Sequence, residues 1–139
     1  MPRNQFPASL IILVISILSV ISLLSLFYSD DKEIRDLKSS SNDQIIQSIT
    51  NFINNKDEAK ISKLICNGEA STSTPEVIAK EIVKFRESSK INSRQSPSDK
   101  NIYFFYPEGR SYTDYIDINK ITIARESLNS PACILIPYG

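Results

Sequence analysis

The feature that most constrains this chain is an uninterrupted apolar run near its N-terminus. Ala8 to Tyr28 reads ASLIILVISILSVISLLSLFY, 21 residues without a charge, a Gly or a Pro. At a rise of about 1.5 Å per residue, a helix of this length covers roughly 31 Å, which matches the hydrocarbon thickness of a bilayer. The run therefore predicts a single transmembrane helix that contacts the lipid bilayer.

A cleaved signal peptide is the main alternative to an anchor. The apolar part of a signal peptide is usually about 7 to 15 residues long and ends at a small-x-small cleavage site. This run is longer, and Leu24, Leu26 and Phe27 interrupt the candidate sites around Ser25. A core helix of a soluble domain is a third alternative, but such a helix would show a polar face. The sequence favours an uncleaved anchor.

The charges that flank the run predict its orientation. Arg3 precedes it, Asp30 and Asp31 follow it, and cytoplasmic flanks of membrane helices carry an excess of Lys and Arg. We therefore expect a single-pass protein of the cell membrane with its N-terminus in the cytoplasm and its C-terminal domain outside. The predicted parts are a cytoplasmic stub and transmembrane anchor over 1–29, a juxtamembrane helix or linker over 30–41, and an extracytoplasmic α+β domain over 42–139.

Composition argues against several classes of function. Sixteen basic residues balance sixteen acidic ones, so the chain has no electrostatic footprint for nucleic acid. It contains no His, which is the commonest general base and the commonest metal ligand. Asp114 and Asp117 lie beside tyrosines, but three residues apart in a strand they would point to opposite faces and could not share a catalytic task. We expect no enzyme activity, metal or cofactor.

Apolar spacing predicts three helices after the linker. The first begins at a cap formed by Ser41 or Asn42, with Gln44 placed as in a capping box. Its apolar residues recur at the three-and-four spacing of one helical face, namely Ile45, Ile46, Ile49, Phe52 and Ile53. The second helix is predicted from Asp57 to Ile65 with Asn67 and Gly68 as its stop, and the third from Pro75 to Ser88.

The period then changes to that of strands. We predict a loop over Ser89 to Lys100, in which Lys90 to Arg94 is the candidate for a short first strand, then a buried strand at Ile102 to Tyr106 (IYFFY) and a final strand at Ala132 to Tyr138. Tyr112 to Ile118 and Ile121 to Glu126 are two further strands if Asn119-Lys120 is a turn, and one long strand if it is not. Helices followed by strands indicate an α+β fold, in which about three helices pack on a curved antiparallel sheet of three to four strands.

Cys66 and Cys133 are the only cysteines. In a reducing cytosol they would usually be buried apolar residues, whereas outside the membrane the pair is more simply read as one disulfide. Redox catalysis favours a C-x-x-C spacing, and a metal site needs more ligands than two. We therefore predict a structural disulfide, provided that the domain lies outside the cytoplasm.

A fold family is suggested by the turn Asn54-Asn55-Lys56-Asp57, by ISKLICNG at 61–68 with Cys66 after the second helix, and by Cys133 in the last strand. These features resemble the nuclear-transport-factor-two-like domains, and more narrowly the small single-span extracytoplasmic proteins of actinobacteria. The resemblance implies a cone-shaped domain over about 42–138 and a Cys66–Cys133 pair. The chain departs from these relatives by lacking the Trp often found just before the last Cys. The fold includes enzymes, ligand binders and scaffolds, so it implies no function.

Serines are the only polar residues of the predicted span: Ser9, Ser16, Ser19, Ser22 and Ser25. Small hydroxyl residues allow helices to approach closely, which predicts contact with partner helices of an integral membrane complex, for example a respiratory or envelope complex. Alternatively, each hydroxyl hydrogen-bonds to the preceding turn of its own helix and does not indicate a contact with a partner helix. We expect a non-catalytic accessory or scaffold subunit whose outer domain braces the external face of that complex. The alternative is a binding module that holds a small apolar ligand or a peptide in a cone-shaped pocket.

The disulfide prediction is tested by titrating thiols. Unreduced, denatured protein should give no reaction with Ellman's reagent, because both sulfur atoms are already bonded. The same protein after reduction serves as the positive control and should release two thiols. Two free thiols in the unreduced sample would contradict the pairing.

Overall fold

The longest element is helix α1, Ala8–Lys38, which contains the whole apolar run. The computed structural model describes residues 7–67, 73–84, 89–115 and 119–136. Contacts divide the chain into two units, Met1–Glu33 and Ile34–Gly139. In the first unit the apolar side chains of α1 are exposed, from Leu10 at 45 % to Tyr28 at 72 %. The helix is long and apolar enough to cross a membrane, and an N-terminal signal sequence meets the same criteria.

The last turn of α1 belongs to the second unit. The helix runs past the apolar stretch to Lys38, and the two apolar residues of this segment, Ile34 and Leu37, are buried in the core of that unit. Their spacing of three places both side chains on one helical face. The segment predicted as juxtamembrane therefore forms part of the folded core.

Helix α2, Asn42–Asn55, has the predicted cap and the predicted buried face. The Ser41 hydroxyl accepts from the Gln44 N–H, and the Gln44 side chain accepts from the Ser41 N–H, which completes a capping box. All five apolar residues of the predicted stripe are buried, and Ile49 and Ile53 are fully so. Asn54 and Asn55 still lie inside the helix, which ends at Lys56 in the left-handed conformation with φ of 57°.

Two shorter helices follow. Helix α3, Glu58–Leu64, begins at Asp57, whose carboxylate accepts from the Lys60 N–H at 3.2 Å. Helix α4, Pro75–Lys84, buries Ile78, Ala79, Ile82 and Val83 against α3 and α2. The predicted end of the third helix at 85–88 and the predicted stop at Gly68 lie outside the described residues.

Four strands form an antiparallel sheet in chain order. They are β1 Ile91–Gln95, β2 Ile102–Pro107, β3 Lys120–Ala124 and β4 Cys133–Leu135. The register places Ser93 opposite Phe105 and Ile123 opposite Ile134. The predicted combination of helices and an antiparallel sheet is therefore confirmed. Part of the predicted last strand, at 137–138, lies outside the described residues.

The predicted strand at Tyr112 to Ile118 is wrong over its first four residues. Tyr112–Tyr115 form a 3-10 helix, opened by a turn in which the Asp114 N–H donates to the Ser111 carbonyl at 3.3 Å. The Tyr112 ring stacks on Phe104 at 6.3 Å between centroids, so this turn covers the face of the sheet opposite to the helices. Packing of one aromatic ring thus overrides the β propensity of the segment. Residues 116–118 lie outside the described residues.

The sheet packs its helix side into one apolar core. Alternate residues of β2 and β3 face the helices, including Tyr103, Phe105, Ile121 and Ile123, and each of these is at most 3 % exposed. Phe104 points the other way and is buried beneath Tyr112. Strand β2 is therefore buried on both faces, as its run of apolar and aromatic residues predicts.

The outer edge of β4 is occupied by the segment after α3. Ile65 forms a parallel bridge with Ile134, and the Cys66 N–H donates to the Ile134 carbonyl at 3.0 Å. Because Ile65 pairs with this strand, α3 ends one residue earlier than predicted. Next to this contact a disulfide joins Cys66 to Cys133, across 67 positions of the sequence. On the chain-entropy model, closing so long a loop stabilises the domain by roughly 4 kcal/mol.

Arg125 ties the end of α1 to the loop between β3 and β4. Its guanidinium donates to the carbonyls of Lys38 and Ser130, each at 3.1 Å, and also to the carbonyl of Ser40. The Ala132 N–H donates to the same Lys38 carbonyl at 2.7 Å. The last carbonyls of a helix have no partner inside it, and a cation favours this end of the helix dipole. Arg125 therefore acts as the C-terminal cap of α1.

Replacing this cap should destabilise the domain. Arg125→Met removes three hydrogen bonds from a charged donor, and should lower the free energy of unfolding by at least about 2 kcal/mol, since one such bond contributes about 1.5 to 3 kcal/mol. Arg125→Lys keeps the charge but not the planar fork, and should cost less. The measurement is guanidinium unfolding of the full chain in detergent, followed by the near-ultraviolet circular dichroism of its tyrosines. Arg110→Met, at an exposed turn, is the matched control, and an equal loss in both variants would contradict the role of Arg125.

A candidate binding groove beside the first strand

Helix α2 carries a second stripe of residues beside its apolar one. Asp43, Gln47, Thr50 and Asn54 follow one another at spacings of four, three and four, so they lie on one face of the helix. Once the apolar stripe is buried, this polar stripe falls along β1. Strand β1 is an edge strand, because among the residues that the structure describes β2 is its only neighbour in the sheet.

Asn54 holds one end of β1. Its side-chain N–H donates to the Ile91 carbonyl at 3.0 Å, and its side-chain oxygen accepts from the Ile91 N–H at 2.8 Å. The Asn54 carboxamide therefore satisfies both the N–H and the C=O group of Ile91. One helical turn earlier, the hydroxyls of Thr50 and Ser93 hydrogen-bond to each other at 3.1 Å.

Tyr103 joins the other end of the polar stripe to the sheet. Its hydroxyl donates to Asp43 Oδ1 at 3.3 Å and accepts from Gln95 Nε2 at 3.1 Å. The residue is 3 % exposed. Burial, and secondly the negative charge of Asp43, raises the pKa of Tyr103 above its ordinary value, because both disfavour the phenolate.

Between α2 and the free edge of β1 lies an open groove of about 460 Å³. Its walls combine side-chain amides, hydroxyls and the rings of two tyrosines with one acid and one base. The lining residues are Asp43, Ile46, Gln47, Thr50, Asn51, Asn92, Ser93, Arg94, Gln95, Tyr103 and Tyr106. Such a surface offers many hydrogen-bond donors and acceptors to a ligand.

Arg94 lies at the rim of the groove. Its guanidinium lies over the Tyr112 ring, 4.3 Å from the centroid, which is the geometry of a cation–π contact. Tyr112 also lies 6.4 Å from the ring of Tyr106. The side chain of Arg94 is exposed, so the cation is held in place while its face remains open to a ligand.

Among the residues singled out from sequence, Tyr103 and Tyr106 of the predicted IYFFY strand line this groove, and the candidate acids and cysteines do not. Asp114 is exposed in the 3-10 helix, and Asp117 lies outside the described residues. The structure brings Cys66 and Cys133 together at the opposite edge of the sheet. Of the aromatic run in β2, Tyr103, Phe104 and Phe105 are buried, as the sequence predicts for this strand.

Four of the five serines in the apolar run Ala8 to Tyr28 bond within the helix. The hydroxyls of Ser16, Ser19 and Ser22 each donate to the carbonyl four residues earlier, at 2.8 to 2.9 Å, and Ser25 donates to the Ser22 carbonyl at 2.8 Å. All five serines, Ser9 included, are exposed. These donors are thus satisfied without a partner helix, although each oxygen keeps the capacity to accept.

The serines also do not share one side of the helix. With about 100° per residue, Ser9 and Ser16 lie within about 20° of each other and Ser19 within about 60° of Ser16. Ser25 lies about 180° from Ser16 by the same reckoning. A single straight partner helix could contact Ser9, Ser16 and Ser19 together but could not contact all five.

The groove was missed from the sequence, although one signal for it was present. The spacing of Asp43, Gln47, Thr50 and Asn54 marks a polar stripe directly beside an apolar one. What the stripe faces depends on which strand α2 packs along, and helical periodicity does not carry that information.

Comparisons with models of protein families, with curated proteins and with solved structures find no match to this chain. The resemblance to nuclear-transport-factor-two-like domains stays a prediction.

The raised pKa of Tyr103 predicts a loss of stability at alkaline pH. The unfolded chain releases this proton near pH 10, whereas the folded chain releases it at a higher pH. Between these values the folded state binds more protons, so raising the pH favours unfolding. The stabilisation of the folded state by the protonated Tyr103 hydroxyl is complete below about pH 10. It is lost as the pH rises through the pKa of Tyr103 in the folded state.

Tyr103→Phe should therefore reduce the fall in unfolding free energy between about pH 8 and about pH 11. At neutral pH it should cost about 1 kcal/mol through its two lost hydrogen bonds. Tyr106→Phe leaves Tyr103, Asp43 and Gln95 in place and serves as the control. Identical alkaline slopes for wild type and Tyr103→Phe would contradict the assignment.

Proposed function

We propose that this protein is a membrane-anchored, non-catalytic accessory subunit, with its N-terminus in the cytoplasm and its disulfide-bonded domain outside. The observation that carries the proposal is the joining, in one chain, of a long helix with exposed apolar side chains to a domain that contains a disulfide. The helix supports a membrane location, and the disulfide supports an oxidising compartment.

The exposed surface of α1 supports anchoring. Its apolar side chains between Leu10 and Tyr28 are 45 to 72 % exposed on all sides of the helix. A monomeric soluble protein rarely exposes a contiguous apolar patch beyond a few hundred Å², because each Å² left in water costs roughly 25 cal/mol. A bilayer removes this cost. The charges at Arg3, Asp30 and Asp31 support the proposed orientation.

Small residues on one side of the span support packing against other membrane helices. Ser9, Ser16 and Ser19 lie within about 80° of one another on the helix circumference. Small side chains there let a neighbouring backbone approach closely, and van der Waals packing is the main source of helix association in lipid. Their hydroxyl donors are already used within the helix at Ser16 and Ser19, so the proposed contact depends on their size.

The groove beside β1 supports the second candidate, a binding module outside the membrane. The apolar core on the helix side of the sheet contains fully buried side chains, including Ile49, Ile53, Ile61 and Ile91 at no more than 1 % exposure. The groove is open, and most of its lining residues carry a polar group on the side chain. These features favour a peptide over a small apolar molecule as the ligand of such a module.

The proposal is tested on the full chain in its native membrane. Protease added to intact cells should remove a C-terminal tag and leave an N-terminal one. N-terminal sequencing of the mature protein should show that it begins before Ala8. After extraction in a mild detergent, a protein of fixed stoichiometry should copurify with the chain.

Matched variants then separate specific contact from simple hydrophobicity. Ser16→Leu should reduce copurification at least fivefold, because leucine prevents close approach on that side. Ser25→Leu makes the same chemical change about 180° away on the helix circumference and should leave copurification intact. A mature N-terminus after Tyr28, protection of the C-terminal tag, or equal behaviour of the two variants would overturn the proposal.

A further inference from the structure

We infer that the groove beside β1 binds an extended peptide, which adds to the free edge of the sheet as a fifth, antiparallel strand at Ser93 and Gln95. The inference concerns only the second unit of the chain. It holds whether or not α1 packs against other membrane helices.

The hydrogen bonds of β1 show which of its residues face outward. The Glu108 N–H donates to the Lys90 carbonyl at 2.7 Å, and the Ser96 N–H donates to the Ile102 carbonyl at 2.8 Å, so Lys90 and Ser96 turn towards β2. Backbone groups of an antiparallel strand alternate in direction from one residue to the next. Ile91, Ser93 and Gln95 therefore direct their N–H and C=O groups away from β2.

At Ile91 the edge already holds an amide in the geometry of a paired strand. The Asn54 carboxamide has the same donor and acceptor as a peptide group, and it bonds both to the N–H and to the C=O of Ile91, at 2.8 and 3.0 Å. Two bonds exchanged with a single residue are the pattern of an antiparallel pair. Asn54 thus stands in for one residue of a neighbouring strand.

At the next two outward-facing residues, Ser93 and Gln95, no described side chain pairs with the outward backbone groups. The side chain of Ser93 bonds to Thr50, and that of Gln95 bonds to Tyr103 and to the Lys100 carbonyl. Within residues 7–67, 73–84, 89–115 and 119–136, the outward backbone groups of Ser93 and Gln95 have no hydrogen-bond partner. These groups are about 7 Å apart, the repeat at which alternate residues of a peptide strand present theirs.

The groove gives this strand a place to lie. Its volume of about 460 Å³ falls within the range typical of ligand sites. Gln47 and Asn51 of α2 line the groove across from the strand, where their amides can bond to the far side of a bound peptide. Strand β1 contains no Pro and no bulge, which are common devices that protect an exposed edge.

Charge argues for a foreign peptide rather than a second copy of this chain. Self-pairing that uses both Ser93 and Gln95 would set Arg94 directly opposite its own copy, and like charges at that position are unfavourable. Self-pairing centred on Ser93 would instead require the Ile91 groups that Asn54 already occupies. The complementary partner carries an acidic residue opposite Arg94 and uncharged residues on either side.

The probe follows from this geometry. It is a set of capped pentapeptides with Glu at the centre and Thr, Ser, Val or Gln at the other four positions. The central Glu lies opposite Arg94, while the second and fourth residues pair with Gln95 and Ser93. Binding to the full chain in detergent micelles is followed by the amide signals of the isotope-labelled protein. We expect saturable shifts at Ser93 and Gln95 at or below about 1 mM peptide.

Two matched comparisons test the mode of binding. Methylation of the peptide nitrogens at the second and fourth residues should weaken binding at least tenfold, whereas methylation at the central Glu should change it less than twofold. Gln95→Pro removes one outward N–H and should weaken binding at least tenfold relative to Gln95→Ala, which loses only the side chain. Unchanged amide signals in the rest of the domain show that each variant is folded.

Other outcomes would overturn the inference. They are the absence of shifts with every peptide at about 1 mM, an equal effect of methylation at all three positions, and binding that Gln95→Pro leaves unchanged. Saturable binding of chitotriose at the same amides, without any effect of the peptides, would identify the groove as a saccharide site instead. Replacing the central Glu by Lys should weaken binding, and stronger binding of the Lys peptides would exclude the role of Arg94.

Discussion

The packing of α2 against β1 is the contact on which the rest of the domain depends. Ile45, Ile49 and Ile53 are at most 1 % exposed, and their burial fixes how the helix is rotated about its axis. Once that rotation is fixed, the neighbouring polar stripe must face the edge of β1. The same burial that stabilises the core therefore also builds the wall of the groove, and a mutation that turned the helix would remove both.

The two edges of the sheet are treated in different ways. At β4, Ile65 and Cys66 pair with the edge and the disulfide fixes the segment covalently. At β1, one carboxamide covers one residue and leaves two outward positions without a described partner. Exposed edges are a liability that folded proteins usually protect, so an edge covered only in part, beside a polar groove, points to a use.

Helix α1 meets two environments along its length. Its apolar side chains up to Tyr28 are exposed, whereas Ile34 and Leu37 are buried in the core of the second unit. Arg125 caps its last carbonyl, that of Lys38, from the β3–β4 loop. The helix end is thus part of the fold and not a tether to it. Ser16 and Ser19 of the apolar stretch donate within the helix, so their size, rather than their hydrogen-bond donors, is the property available to a partner.

The sequence alone determined the features that depend on short-range chemistry: the apolar helix, the Ser41–Gln44 capping box, the buried stripe of α2, and an α+β fold with an antiparallel sheet. Periodicity and capping act over a few residues, so they can be read directly from the chain. Only the tertiary structure decided that Tyr112 belongs to a turn, that Arg125 caps α1, and that Asn54 occupies the edge at Ile91. Each of these depends on contacts between residues 8 to 87 positions apart, and local pattern does not encode which distant backbone group a side chain will meet.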